Sequence, residues 1–461
     1  MTDSNSPSAN GLIRCSGPSR RRALQLGVGA LGLTLPRMLS AQAAAPSGAR
    51  SRWKSVVILY LSGGPSQLDM WDLKPDAPAE IRGEFKPIET NVSGIRIGEH
   101  LPRMARLADK YTIVRSMTHD ENDHLKAGYW VMTGHPLPRA VVQKSGMTRQ
   151  DRPHAGAILS RFLGSGGAAP PFVMIPEYVS PVDVPRPGQH AGFLGASHDP
   201  YLVDSDPSEA GYFPGPIGSS SRSREHTGRL RTLLRRLEDG SPLERTEPAF
   251  AEYASFREKA LDLVTSNGAQ KAFHIEDEPR SVRERYGMHT FGQSALVARR
   301  LVEAGVRLVQ VNFVRHDNGK GGQGYDSHSA PGYPLHTPWL RDELLPKTDS
   351  AFSGLIQDLS ERGLLEETLV LMMGEFGRTP RFNSAGGRDH WARCYSLVVA
   401  GGGFPRGEVI GASDATASEP TLDPMTPEQL LGRVYTAVGI PLNAELLDHE
   451  QRPQPLLPMR G

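Results

Sequence analysis

The sequence predicts an α/β fold whose central sheet is mainly parallel, and two observations carry that prediction. Near-continuous apolar runs rich in β-branched residues occur at Ser55–Leu61, Tyr111–Val114, Val306–Phe313 and Thr368–Met373, with Tyr395–Ala400 as a fifth. A strand that does not alternate is covered on both faces, as in a parallel sheet flanked by helices. Between the runs lie helical patterns, and strands alternating with helices define the α/β class.

The helices read as follows. Leu296, Val297, Leu301 and Val302 recur at helical spacing just before the strand beginning at Val306. Phe352, Leu355, Ile356 and Leu359 do the same, with Gly363 as a stop. Thr426-Pro427-Glu428-Gln429 gives an N-cap, a proline at the first helical position and a glutamine able to reach back. Residues 136–225 are rich in Pro, Gly and Ser, as in PVDVPRPG and GPIGSSSRS, and predict long loops over the sheet. Helices follow at about 228–238 and 248–266. The expected layout is a single domain over 46–461 with a loop- and helix-rich insertion around 136–290.

The first 45 residues differ in kind. Ser19-Arg20-Arg21-Arg22-Ala23-Leu24 precedes a short apolar run to Pro36 and then AQAAA, residues 41–45. A basic start, a short apolar stretch and an A-x-A site form a signal peptide, and the Ser-Arg-Arg pair resembles a twin-arginine signal. The competing reading is a basic arm followed by a core helix. The run is too short to span a bilayer, and no other segment is long enough. Cleavage near Ala45 predicts a periplasmic or secreted protein that engages the twin-arginine export machinery. Cys15 would leave with the leader, so Cys394 has no internal disulfide partner and reads as a small buried hydrophobe. A net charge of +1 across 461 residues gives no overall pull toward nucleic acid or an anionic membrane. The arginines between Arg229 and Arg236 read as the solvated side of a helix.

Polar residues follow each strand. Asp69 and Asp72 come after the first; His119, Asp120, Asp123 and His124 after the second. His316, Asp317, Asp326 and His328 follow the third; Glu375, Arg378, Asp389 and His390 follow the fourth. Ligands of open parallel sheets bind where these tips converge, so the loops predict one shared site. Mixed imidazole and carboxylate groups suit divalent cations such as zinc, manganese, iron or calcium. Two such ions can clamp a phosphoryl or sulfuryl group, and Arg378 offers a two-pronged donor for an anion. Each piece also has a plain reading. Asp326-Ser327-His328 fits an ordinary turn, Glu375 a cap or a partner of Arg378, and His119 with Asp123 a surface pair. The segment GGRDH weighs more, because an acid beside a histidine on a glycine turn rarely serves packing. SGGPS after the first strand matches no dinucleotide, Walker or nucleophile-elbow pattern and reads as a turn.

These residues resemble a known family. The segments LSGGPSQLDMWDLKP, HLKAGYWVMTGHP, GYDSH, GEFGRTPRFN and GRDHW, behind a twin-arginine leader, are similar to the exported bacterial family of domain of unknown function 1501, related to alkaline phosphatases and sulfatases. The resemblance implies a three-layer α/β/α sandwich and a metal site that transfers phosphoryl or sulfuryl groups. It places His124 where the superfamily has its Cys, Ser or Thr nucleophile. Asp326, His328 and His390 resemble metal ligands, and Glu375-Phe376-Gly377 resembles an Asp-His-Gly in which Phe376 cannot bind metal. The expected site has metal on Asp326, His328, Glu375 and His390, Arg378 on the substrate anion, and His124 at the reacting centre as ligand, acid/base or covalent acceptor. The expected activity is hydrolysis of a phosphate or sulfate ester, on a small molecule or a glycan. The alternatives are a non-catalytic relative that binds glycan or envelope protein, and an oxidoreductase, for which no cofactor fingerprint is present.

Overall fold

A computed structural model describes residues 53–138, 146–167, 169–180, 185–218, 221–238, 261, 266–314, 324–329 and 335–458. The twin-arginine segment, His316, Asp317 and nearly all of the helix expected at 248–266 lie outside these residues.

The strands of the main sheet are β1 Ser55–Tyr60, β2 Tyr111–Met117, β3 Phe172–Ile175, β4 Tyr201–Leu202, β5 Leu308–Asn312, β6 Thr368–Met373, β7 Tyr395–Gly401 and β8 Glu408–Ile410. They lie in the order β8-β2-β7-β6-β1-β5-β3-β4. β1 is central and pairs in parallel with β5 (Tyr60 opposite Asn312) and with β6 (Tyr60 opposite Met373). Every residue of β1, β5, β6 and β7 is buried, as uninterrupted apolar runs require. The pleat sends Val57 and Leu59 into one core layer with Val309, Val370, Leu296 and Phe352. Val56, Ile58 and Tyr60 point the other way and are buried too. Each such aliphatic side chain contributes about 1.5–3 kcal/mol. The result is an α/β fold with a large, mostly parallel sheet.

β7 runs antiparallel to both β6 and β2. This reversal positions the site. The chain leaves the carboxyl end of β6, stays at that edge through residues 374–394, and re-enters the sheet without a crossover.

The helices follow their sequence signals. α1 (His124–Thr133) is capped by Asp123, whose carboxylate accepts from the amides of Leu125 and Lys126. α2 (Ala155–Leu163) packs on β3 and β5. α3 (Thr290–Glu303) and α4 (Leu345–Glu361) bury the faces read from sequence, and Gly363 follows α4 at φ +70°. At the start of α5 (Pro427–Ala437), Gln429 accepts from the Thr426 amide at 2.9 Å. The Pro-rich middle is not all loop. β3 and β4 extend the main sheet there, β3 in parallel register with β5. Their short lengths and flanking prolines obscure the strand signal. Among the described residues, no helix is long and apolar enough to cross a membrane.

Candidate metal centre

The loops after β1, β2, β5 and β6 meet at one edge of the sheet. His124, the first residue of α1, is delivered by the β2 loop, and Asp326 and His328 by the loop after β5. His390 lies on a short antiparallel ladder with Arg378, formed as the chain doubles back between β6 and β7. Gly387 is needed here, since a Cβ at that position would come within 2.0 Å of the His328 carbonyl oxygen.

Asp326 is the focus. Its side chain is 2% exposed and receives three imidazoles. His328 Nε2 lies 2.7 Å from Oδ1, His390 Nε2 3.1 Å from Oδ1, and His124 Nε2 3.1 Å from Oδ2. Ligand atoms of His124, Asp326 and His390 fall within 4.8 Å of one another. The other nitrogen of each ring is already held. His124 Nδ1 is 2.6 Å from Glu375 Oε1, His328 Nδ1 is 2.9 Å from Asp389 Oδ1, and His390 Nδ1 is 2.8 Å from the Asn122 carbonyl oxygen. All three partners accept, so each Nδ1 carries a proton and each Nε2 presents a lone pair inward when the ring is neutral. Metal-binding histidines are oriented in just this way. His328 Nε2 and His390 Nε2 lie only 2.9 Å apart, a repulsive contact for two lone pairs unless a cation or proton joins them. The donor set therefore fits a divalent metal.

The charges agree. Burial opposes ionisation of Asp326, but the three imidazoles and Arg378 outweigh it and hold the carboxyl far below its usual range. Burial also opposes the charge on Glu375, and the hydrogen bond and charge of His124 hold it at about 2. For His124 burial favours the neutral ring, yet Asp326 and Glu375 raise its pKa. A cation at Nε2 would feel the same negative potential. Burial dominates at His390 and lowers its pKa.

Two residues lie elsewhere than their expected roles would put them. Glu375 is not among the inward-facing donors. Its Oε1 takes His124 Nδ1 and the Gly63 amide (2.9 Å), and its Oε2 takes the Tyr60 hydroxyl (3.0 Å), so it stands behind His124 and fixes that ring. His124 in turn contributes to the cluster. Arg378, expected on a substrate anion, is fully buried with its donors turned inward. They reach the carbonyls of Gly63, Gly64, Tyr325 and Arg388, the Asp326 carboxylate at 2.7 Å and His328 Nε2 at 3.3 Å. Burial costs that guanidinium its hydration, and the carbonyls that replace it leave no fork for a ligand.

Phe376 packs against the rings of both His124 (4.8 Å) and His390 (4.6 Å), which fixes their planes. Gly64, at φ +82°, makes room for it: a Cβ there would lie 2.6 Å from the Phe376 ring. Other strand-tip residues serve structure. Asp69 accepts from Ser66, His336 and Arg388, while Asp72 pairs with Lys74 and Arg115. His119 Nε2 lies 2.7 Å from the Glu375 carbonyl oxygen. Sequence reasoning missed Arg186, whose guanidinium Nη1 lies 4.0 Å from Glu375 Oε1. Its one signal is a cation between two prolines, Pro185 and Pro187.

Comparison with known proteins gives distant likenesses. The sulfatase PsFucS1 from Pseudoalteromonas sp. is 12% identical, with 91% of this chain and 72% of that chain covered and a TM-score of 0.38. The phosphonate monoester hydrolase SpPMH from Silicibacter pomeroyi is 12% identical, with 85% and 74% covered and a TM-score of 0.37. A protein in the alkaline phosphatase superfamily from Vibrio parahaemolyticus is 10% identical, with 85% and 67% covered and a TM-score of 0.37. No curated protein matches the sequence. Residues 53–459 match the family described as protein of unknown function DUF1501, and the chain belongs to that family.

Proposed function

We propose that the protein is a metal-dependent hydrolase of a phosphate or sulfate ester, exported by the twin-arginine route to the periplasm or beyond. The observation that carries this reading is the convergence of three imidazole Nε2 atoms on the Asp326 carboxylate, each ring oriented through its Nδ1. His124, Asp326, His328 and His390 would hold the ion, which when bound supplies Lewis-acid polarisation of an ester oxygen.

The chain's own residues do the rest. Glu375, Asp389 and the Asn122 carbonyl keep the three rings in the tautomer that turns Nε2 inward. Phe376 excludes water from one side of the His124 and His390 rings. Among the described residues, the hydroxyls of Ser62, Ser66 and Ser327 are committed to the Phe313 carbonyl, to Asp69 and to His336. Water is therefore the proposed nucleophile, which separates this site from a transfer through a protein hydroxyl.

The test is ester hydrolysis by the mature protein loaded with zinc or manganese, using aryl phosphates and aryl sulfates. Turnover of one class, abolished in Asp326→Ala, supports the proposal. Stoichiometric metal with no turnover of either class contradicts it and favours a binding role for the same fold.

A further inference from the structure

Beyond β3 the chain brings Arg186 to Glu375, behind His124, and its described residues are held at several points. The Asn312 side chain, at the tip of β5, donates to the Glu177 carbonyl at 2.7 Å. Gln189 accepts from the Val179 amide (2.7 Å) and donates to the carbonyls of Val179 (2.9 Å) and Arg186 (3.0 Å). Gly188, at φ +83°, lies so close to α1 that a Cβ would come within 2.8 Å of the Tyr129 ring. The Arg186 backbone is thus fixed against the helix whose first residue is His124.

The Arg186 side chain is only 12% exposed. Its Nε is buried and has no hydrogen-bond partner among the described residues, an arrangement that is costly unless a ligand completes it. Glu375 is its one ion-pair contact among the described residues, at 4.0 Å, beyond hydrogen-bond reach. The Glu375 oxygens are already taken by Tyr60, Gly63 and His124. Arg378 and Arg388, the other buried guanidiniums of this region, direct their donors to carbonyls and carboxylates. Arg186 keeps donor capacity beside the cluster.

We propose that Arg186, rather than Arg378, is the anion receptor of this site, and that it binds the tetrahedral oxyanion group of the substrate. The inference rests on the ester-hydrolase reading for its context, and its test separates the two. Phosphate and sulfate share the required chemistry: a planar fork of N–H donors matches adjacent anionic oxygens.

The experiment is calorimetric titration of the zinc-loaded mature protein with inorganic phosphate and with inorganic sulfate, alongside metal analysis. Variants are Arg186→Gln, Arg186→Lys and, as a control, Arg381→Gln, an exposed arginine paired with Glu80. Arg186→Gln is expected to keep its zinc and to lose roughly 10–100-fold in anion affinity. Arg186→Lys should recover part of that loss, because a point charge replaces the fork. Arg381→Gln should match wild type, and the anion bound more tightly by wild type identifies the ester class. Unchanged anion affinity in Arg186→Gln overturns the inference while leaving the metal centre intact. Loss of zinc in that variant also overturns it, by showing that Arg186 acts only as countercharge to Glu375. If wild type holds no zinc, the hydrolase reading fails, and the same titration on the metal-free protein still decides Arg186: a tenfold loss upholds it, and no change overturns it.

Discussion

His328 and His390 bring their Nε2 atoms to within 2.9 Å of each other, beside the Asp326 carboxylate. Their Nδ1 atoms are committed to Asp389 and the Asn122 carbonyl, and Arg378 Nη1 lies 3.3 Å from His328 Nε2, so the contact calls for positive charge beyond that guanidinium, from a proton or a metal, on the His390 side. A metal that binds the folded protein alone stabilises it by mass action, about 3 kcal/mol at a hundredfold excess over Kd. Adding zinc to chelator-treated protein should raise the unfolding midpoint by several degrees. A midpoint that does not respond to zinc would count against the cluster as a metal site.

Glu375 stands behind His124 rather than beside it. Glu375→Gln should keep the metal but weaken its affinity roughly 10–100-fold, the usual effect of removing an acceptor that orients a ligand imidazole. Competition against a chelator of known affinity measures this. Complete loss of metal would make Glu375 a direct ligand; no change would remove it from the site.

Arg378 binds four carbonyls and Asp326 in the protein interior. Arg378→Ala strips the buried Asp326 carboxylate of its permanent countercharge and should cost about 3–5 kcal/mol in urea unfolding. Arg378→Lys should rescue little, because one ammonium cannot span those carbonyls. A stable Arg378→Ala protein with only a raised KM would restore the substrate-clamp role expected from sequence.

Acid sensitivity has a source outside the candidate metal cluster. His154 is fully buried at the start of α2, accepting from the Gly156 amide and meeting the Gln310 side chain at 2.9 Å. Burial lowers its pKa to about 3. The unfolded chain takes up a proton below about 6.5, whereas the folded chain resists until about 3. The stabilisation is therefore complete above pH 6.5 and is lost at about 1.4 kcal/mol per pH unit as pH falls through that window. Urea midpoints at pH 7 and pH 5 should differ less in His154→Gln than in wild type. Equal differences would rule His154 out.

Cys394 is buried at the start of β7, and burial pushes its thiol up to about 12. Cys394 should resist thiol reagents under native conditions and react fully in denaturant. Rapid native labelling would contradict the placement.

The sequence made the central strands legible because burial on both faces leaves uninterrupted apolar runs. It also made Asp326, His328 and His390 legible, since acid and imidazole together at strand tips carry little packing value. That Glu375 would lie behind His124 rather than beside the other donors was not legible. It depends on which ring nitrogen faces inward, and that follows from three-dimensional contacts with Gly63 and Tyr60. Arg378 looked like a clamp because sequence gives a residue's type but not the carbonyls that surround it. β3 was hidden by its prolines, and with it the loop that carries Arg186.

The central claim is that His124, Asp326, His328 and His390 together bind one divalent ion. Metal analysis of the purified mature protein, beside the double variant Asp326→Ala/His390→Ala, tests it most directly. Wild type should hold close to one equivalent, and a folded double variant none. A wild type without metal, or a double variant that retains it, would show that these four side chains are not a metal site.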